Sequence, residues 1–188
     1  TRSMALTAMP RRRIKIRCGE ITGLLLSAIH QQAAVALAIA MASPVRANPW
    51  SYAVFPVPQF SGYTSHFGLR TAGSSVSRDH TGLDIAAPMG SPVLSWWGGR
   101  VASLINDQSC GIGVVIVSGE YTHLYCHLQG TVQSGLFRSG PASLRKGDRV
   151  HAGQTIGQIG VSGRSTGPHL HWGVKLKQRW LDPVVVLH

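Results

Sequence analysis

The chain has 188 residues, 44% of them hydrophobic, with 22 glycines, 10 prolines, and 18 Lys and Arg against 7 Asp and Glu. That apolar content excludes a disordered chain, and the length allows one ordinary domain and little else. The formal charge of +11 does not make a nucleic-acid binder: residues 1–47 hold seven basic side chains against Glu20, a net of +6, and the remaining +5 is scattered without a basic helix or stripe.

Residues 1–47 read as a signal peptide or an uncleaved N-terminal anchor. Arg11-Arg12-Arg13-Ile14-Lys15-Ile16-Arg17 is a basic opening, followed by apolar runs at Gly23–Leu26 and Ala33–Ala42 that His30-Gln31-Gln32 interrupts. About ten clean apolar residues suit a signal's hydrophobic region and are short for a membrane span. Val45-Arg46-Ala47 offers a cleavage site. The working domain is expected over 48–188 and outside the cytoplasm: in the periplasm, in the cell wall or beyond it.

From Asn48 onward, short runs rich in Val, Ile, Tyr and Trp alternate with Gly, Pro and Ser, and no run sustains a helical period. Strands are expected near Val93–Ser95, Arg100–Ile105, Gly113–Val117, Tyr121–His127, Thr155–Ile159 and His169–Lys177, with 129–146 as loop. The Gly-rich cadence of 88–101 returns weakly at 147–157, which hints at a duplicated β unit. Cys18 belongs to the leader. Cys110 and Cys126 flank a hairpin turning at Ser118-Gly119-Glu120, where positions summing to about 236 face each other, so a disulfide across the hairpin base is expected in an oxidising compartment.

The histidines carry the chemistry. His80-Thr81-Gly82-Leu83-Asp84 sets an imidazole and a carboxylate four apart around a glycine, and His169-Leu170-His171 lies in a strand-like run. At i and i+2 both imidazoles leave one face while Leu170 enters a core. Two histidines and a carboxylate suit zinc, and a fourth position left to water makes such a site catalytic. Three of these four side chains suffice as ligands, and spacing does not say which three. A surplus imidazole serves proton transfer, and His127 is a second candidate for that work. His123 and His127, four apart in a strand, are expected on one side of it. His66, His151 and His188 read as surface or loop residues.

Over roughly Tyr63 to Leu187 the chain resembles the lysostaphin/LytM-type peptidoglycan endopeptidases. The matching stretches are Ser65-His66-Phe67-Gly68-Leu69-Arg70, the run from His80 to Val93, Tyr121–Leu128, Lys146–Val150, Gly153–Gly157 and Ser162–His171, in that order. The resemblance implies an all-β, two-sheet, sandwich-like domain with a zinc groove. It implies Zn2+ on His80, Asp84 and His171, catalytic roles for His127 and His169, and a peptidoglycan peptide as substrate; the scattered charge points to no nucleic acid as partner, and residues 1–47 to the membrane only through an uncleaved N-terminal segment. Trp96-Trp97 departs from the family's small residues there. As neighbours in a strand, one indole is expected in the core and one along the groove. Two other readings stand beside this one: a non-catalytic wall-binding or hydrolase-activating module of the same fold, and a non-haem iron oxygenase, whose ligands are also two histidines and a carboxylate.

Overall fold

Glycine, serine and proline interrupt the chain every few residues, and the β-branched and aromatic runs between them fold as strands. The computed structural model describes residues 52–70 and 78–187. The expected leader, with Cys18 and His30, lies outside them, as does His188. In chain order the strands are β1 (Gly62–Ser65), β2 (Gly68–Arg70), β3 (Arg78–His80), β4 (Leu83–Ala86), β5 (Pro92–Leu94) and β6 (Gly99–Asp107). They continue with β7 (Gly111–Ser118), β8 (Tyr121–Cys126), β9 (Leu128–Gln129), β10 (Thr131–Gln133) and β11 (Leu136–Ser139). The last are β12 (Ala142–Arg145), β13 (Arg149–Val150), β14 (Thr155–Ile159), β15 (His169–Leu176) and β16 (Arg179–Leu181), before a 3-10 turn at Pro183–Val186.

The all-β expectation holds. The main sheet runs β1-β4-β15-β8-β7-β6-β13, with β16 also on β15; β10-β11-β12, β5-β14-β9 and β2-β3 form three smaller sheets. The two stretches that echo each other in sequence meet in space, with Arg149 opposite Arg100 and Thr155 opposite Leu94. Along β15, Leu170, Trp172 and Val174 are fully buried, and β4 buries Leu83 and Ile85 beside them. Trp96 and Tyr125 complete this part of the core, where the Tyr125 hydroxyl accepts the Trp96 backbone N–H at 2.8 Å. Each such large apolar side chain contributes about 1.5–3 kcal/mol by leaving water.

Four sequence expectations need correction. Residues 129–146 are not a loop: β10, β11 and β12 form a meander in which Phe137, Ser139, Ala142 and Leu144 alternate inward. Its runs are short and polar on the outer face, which hides the period-two signal. The β7–β8 hairpin turns later than Ser118-Gly119-Glu120 suggests, with Val114 opposite Tyr125 and Ser118 opposite Tyr121. That register sets Cys126 against Gly113, yet the disulfide to Cys110 is formed. Cys110 lies in the turn before β7 and folds back over Gly113, where a Cβ would collide with the Cys110 sulfur. Trp96 and Trp97 occupy a bend after β5, not a strand; Trp96 is core, whereas Trp97 packs on Tyr121 at 5.8 Å between ring centroids. Finally, His123 and His127 do not share a side. β8 ends at Cys126, and His127 takes φ 62°, a left-handed turn that carries its ring out of the strand's alternation.

His123 is instead a fully buried core residue between Ile116 and Val174, 4.7 Å from the Trp96 ring, and neither ring nitrogen has a hydrogen-bond partner. Burial pushes its pKa down from 6.5 to about 3. The unfolded chain therefore takes up a proton near pH 6.5 that the folded chain refuses until near pH 3, so stability falls as pH drops through that window, by up to about 1.4 kcal/mol per pH unit. His123→Leu removes both the proton and the two orphan nitrogens. Urea unfolding in the presence of chelator is expected to show a flatter acid limb and a more stable protein at pH 5; identical pH slopes would rule this out.

Candidate metal centre

Strand β15 carries two of the candidate side chains, and its neighbours supply the rest. It pairs with β4 so that His171 lies opposite Asp84 and His169 opposite Ala86. Paired residues in a sheet project from the same face. The burial of Leu83, Ile85, Leu170 and Trp172 on one face thus sends Asp84, His169 and His171 out from the other. His80 ends β3 two residues before β4 begins, and the intervening Thr81-Gly82 bend swings its ring back over Asp84. On the other flank of β15, Cys126 of β8 lies opposite His171, and His127 follows at once.

Three donor atoms converge. His80 Nε2 stands 3.0 Å from Asp84 Oδ1 and 3.0 Å from His171 Nδ1, and His171 Nδ1 stands 2.8 Å from Asp84 Oδ1. These edges approach the roughly 3.3 Å expected between ligands of a tetrahedral ion with bonds of about 2.0–2.1 Å. The donor chemistry agrees. His80 Nδ1–H donates to the His66 carbonyl at 2.7 Å, which leaves a lone pair on Nε2 facing a carboxylate and a second imidazole nitrogen. Such a set asks for a cation at its centre, and all three residues are largely buried. Burial alone would raise the Asp84 pKa, but with protons in place of a cation on the facing nitrogens of His171 and His80, their hydrogen bonds and charge hold this carboxyl far below the usual carboxylate range.

The other two histidines stand beside this cluster. His169 Nε2 lies 3.9 Å from Asp84 Oδ1, and the His127 ring is 4.7 Å from the His169 ring and 6.0 Å from that of His171. Each is anchored through its other nitrogen: His169 Nδ1–H donates to the Gly167 carbonyl and His127 Nδ1–H to the Ser162 carbonyl, both at 2.8 Å. Three rings (His80, His127 and His169) therefore share one device, a backbone acceptor that fixes the tautomer and leaves Nε2 bare. Burial, with the neighbouring His169 adding to it against the pull of the Ser162 carbonyl, lowers the His127 pKa. A cavity of about 350 Å³ opens beside these groups, lined by Thr64, Ser65, Asp84, Thr166, Pro168 and His169 among others.

All five side chains singled out in the sequence are thus brought together. His66 and His151 are exposed, as expected, although the His66 carbonyl orients His80. Trp97 is not among the residues lining the cavity. What sequence reasoning missed are the acceptors at His66, Ser162 and Gly167, because a main-chain carbonyl has no residue identity to read.

The sequence model described as Peptidase family M23 matches residues 78–183. Among curated relatives, the DD-carboxypeptidase/endopeptidase Mpg of Neisseria meningitidis is 35% identical over 127 residues, 66% of this chain and 25% of that protein. The peptidoglycan DD-endopeptidase ShyA of Vibrio cholerae is 34% identical over 128 residues, 66% of this chain and 27% of that protein. The chain thus spans about a quarter of the length of these relatives. Among solved structures, a zinc-containing peptidase from Vibrio cholerae superposes with TM-score 0.57 at 32% identity, covering 68% of this chain and 37% of the other. The catalytic domain of the prophage-encoded M23 protein EnpA from Enterococcus faecalis, solved as a point mutant, gives TM-score 0.56 at 28% identity, covering 71% and 96%.

Gly82 offers a test of the geometry that leaves every donor in place. A Cβ there would lie 2.6 Å from the Trp172 carbonyl oxygen and 2.7 Å from His171 Cε1, so in Gly82→Ala either the His171 ring or the bend between His80 and Asp84 must give way, and either disturbs the cluster. Zinc affinity by competition with a chromogenic chelator is expected to fall by about 10–100-fold, the size seen when a ligand's orientation is disturbed. Unchanged affinity would mean that His171 is not held where the binding set needs it.

Proposed function

The chain belongs to peptidase family M23, a family of peptide-bond hydrolases, and from that premise we propose that it is a zinc-dependent metalloendopeptidase acting on the peptide cross-links of bacterial peptidoglycan. The observation that carries the proposal is the meeting of His80, Asp84 and His171 at one point with two further imidazoles alongside. A family of peptidases leaves no place for the iron-oxygenase alternative. The named activities of Mpg and ShyA favour D,D-peptide bonds as those cut. Such a substrate lies outside the cytoplasm, in keeping with the export signal read over residues 1–47.

In this mechanism His80, Asp84 and His171 would hold the metal. Zinc, when bound, would supply Lewis acidity toward the scissile carbonyl and bring the pKa of a bound water down to near neutrality. His169, whose Nε2 lies 3.9 Å from the ligand carboxylate, accepts a proton from the attacking water. His127 works with it across the 4.7 Å between their rings. An Nε2 that has received the proton becomes an N–H donor, able first to steady the oxyanion and then to protonate the leaving nitrogen. The anchored Nδ1 atoms keep both rings in register through these steps.

Purified protein digesting peptidoglycan, with and without chelator, tests the activity. Chelator is expected to abolish release of peptides, and mass analysis of the new termini identifies the bond. No cleavage by metal-replete protein would favour the non-catalytic module. His171→Ala is expected to lose both metal and turnover. His169→Ala is expected to keep zinc, by elemental analysis, while turnover falls by about 10²–10⁴-fold; retained turnover would remove His169 from proton transfer.

A further inference from the structure

We propose that the Cys110–Cys126 disulfide is a positioning element for His127, so that the oxidised protein is the catalytically competent form. The inference rests on the reading of His127 as a proton carrier and adds to it what holds that ring in place.

The bond lies on the metal face of the sheet. Cys126 is opposite His171, shares its face, and is 2% exposed. The residue after it is His127, a non-glycine residue held at φ 62°, a conformation that the chain keeps only where its surroundings dictate it. Two contacts do so, and both run through the turn that the disulfide pins. The His127 backbone N–H donates to the Cys110 carbonyl at 2.9 Å, so the same cysteine that is bonded to residue 126 also fixes the backbone of residue 127. The imidazole Nδ1–H donates to the Ser162 carbonyl, and Ser162 is itself seated on this turn. The Ile112 N–H donates to Ser162 Oγ at 2.8 Å, Ser162 Oγ donates to the Leu128 carbonyl at 2.8 Å, and the Arg164 N–H donates to the Ser109 carbonyl at 3.0 Å. Gly111 and Gly163 approach so closely that a Cβ on either would collide with the other's backbone. Asp107 closes the turn from its other end, its Oδ1 accepting the Ser109 and Cys110 N–H groups at 2.8 and 2.7 Å.

Apart from the β8–β15 ladder that sets Cys126 opposite His171, none of these contacts reaches His80, Asp84 or His171. Cutting the sulfur–sulfur bond frees the turn that carries both restraints on His127 while leaving the ligand set on its own strands. The outcome that separates positioning from general structural support is a loss in kcat without a loss of metal.

The test compares metal-loaded full chain with the double variant Cys110→Ala/Cys126→Ala, and with wild type reduced by excess dithiol, which leaves two protein thiols and one oxidised dithiol. In both, kcat is expected to fall between about 10- and 100-fold, the effect of misplacing a catalytic group by around an ångström. KM and zinc content stay unchanged, and the slowly exchanging Nδ1–H resonance of His127 broadens or disappears. Asp107→Ala loosens the same turn with the disulfide intact. It is expected to lower kcat in the same sense, and Asp107→Asn, which keeps an acceptor oxygen, to restore it. This pair keeps the idea testable if the cysteine variant does not fold. Full kcat in the reduced protein, or a kcat loss matched by equal loss of zinc, overturns the proposal. His127→Ala separates the two levels: if it retains turnover, the role of His127 and this inference fall together. If it loses turnover while the disulfide-free protein does not, only this inference falls.

Discussion

The pairing of β4 with β15 governs the site. Asp84 and His171 meet in a register that buries Leu83, Ile85, Leu170 and Trp172 together on the opposite face. A slip by one residue on either strand would turn its polar residues inward and its apolar ones to the groove. The hydrophobic core therefore sets the spacing of the donor atoms, and no separate device is needed to hold the carboxylate against the imidazole. His80 is the one donor that this pairing does not fix directly. It reaches the cluster through the Gly82 bend and is tied at its far nitrogen to the His66 carbonyl.

Around that pairing the histidines divide by environment. His80, His127 and His169 each donate Nδ1–H to a main-chain oxygen and keep Nε2 bare, whereas His171 meets the cluster with Nδ1. His123, on the other face of β8, is stripped of partners and held neutral by burial alone. One residue type thus occupies both a sealed core position and an open polar cluster, and the difference lies in which face of which strand presents it.

Much of this was legible in the sequence. The HxH spacing on a strand and the HxxxD spacing across a glycine both anticipate side chains leaving one face, and the structure has them so. Spacing did not separate His169 from His171, because both leave the same face; the distinction depends on Asp84 standing opposite residue 171. Nor did it separate His123 from His127, since the left-handed turn at a non-glycine residue breaks the alternation that strand logic assumes. The cysteine pairing was anticipated on an inexact register: the bond exists through a fold-back over Gly113 rather than across the ladder. The meander of residues 131–145 escaped notice because its strands are only three or four residues long.

Because the oxygens that aim His80 and His169 belong to the main chain at positions 66 and 167, they survive any exchange of side chain there. The His66 ring is exposed, and a Cβ added at Gly167 would meet nothing within 4 Å. Ring alignment is consequently insulated from ordinary point substitution at these two places. What can misalign the rings is a change in the path of the polypeptide itself, by insertion, deletion or a newly imposed bend.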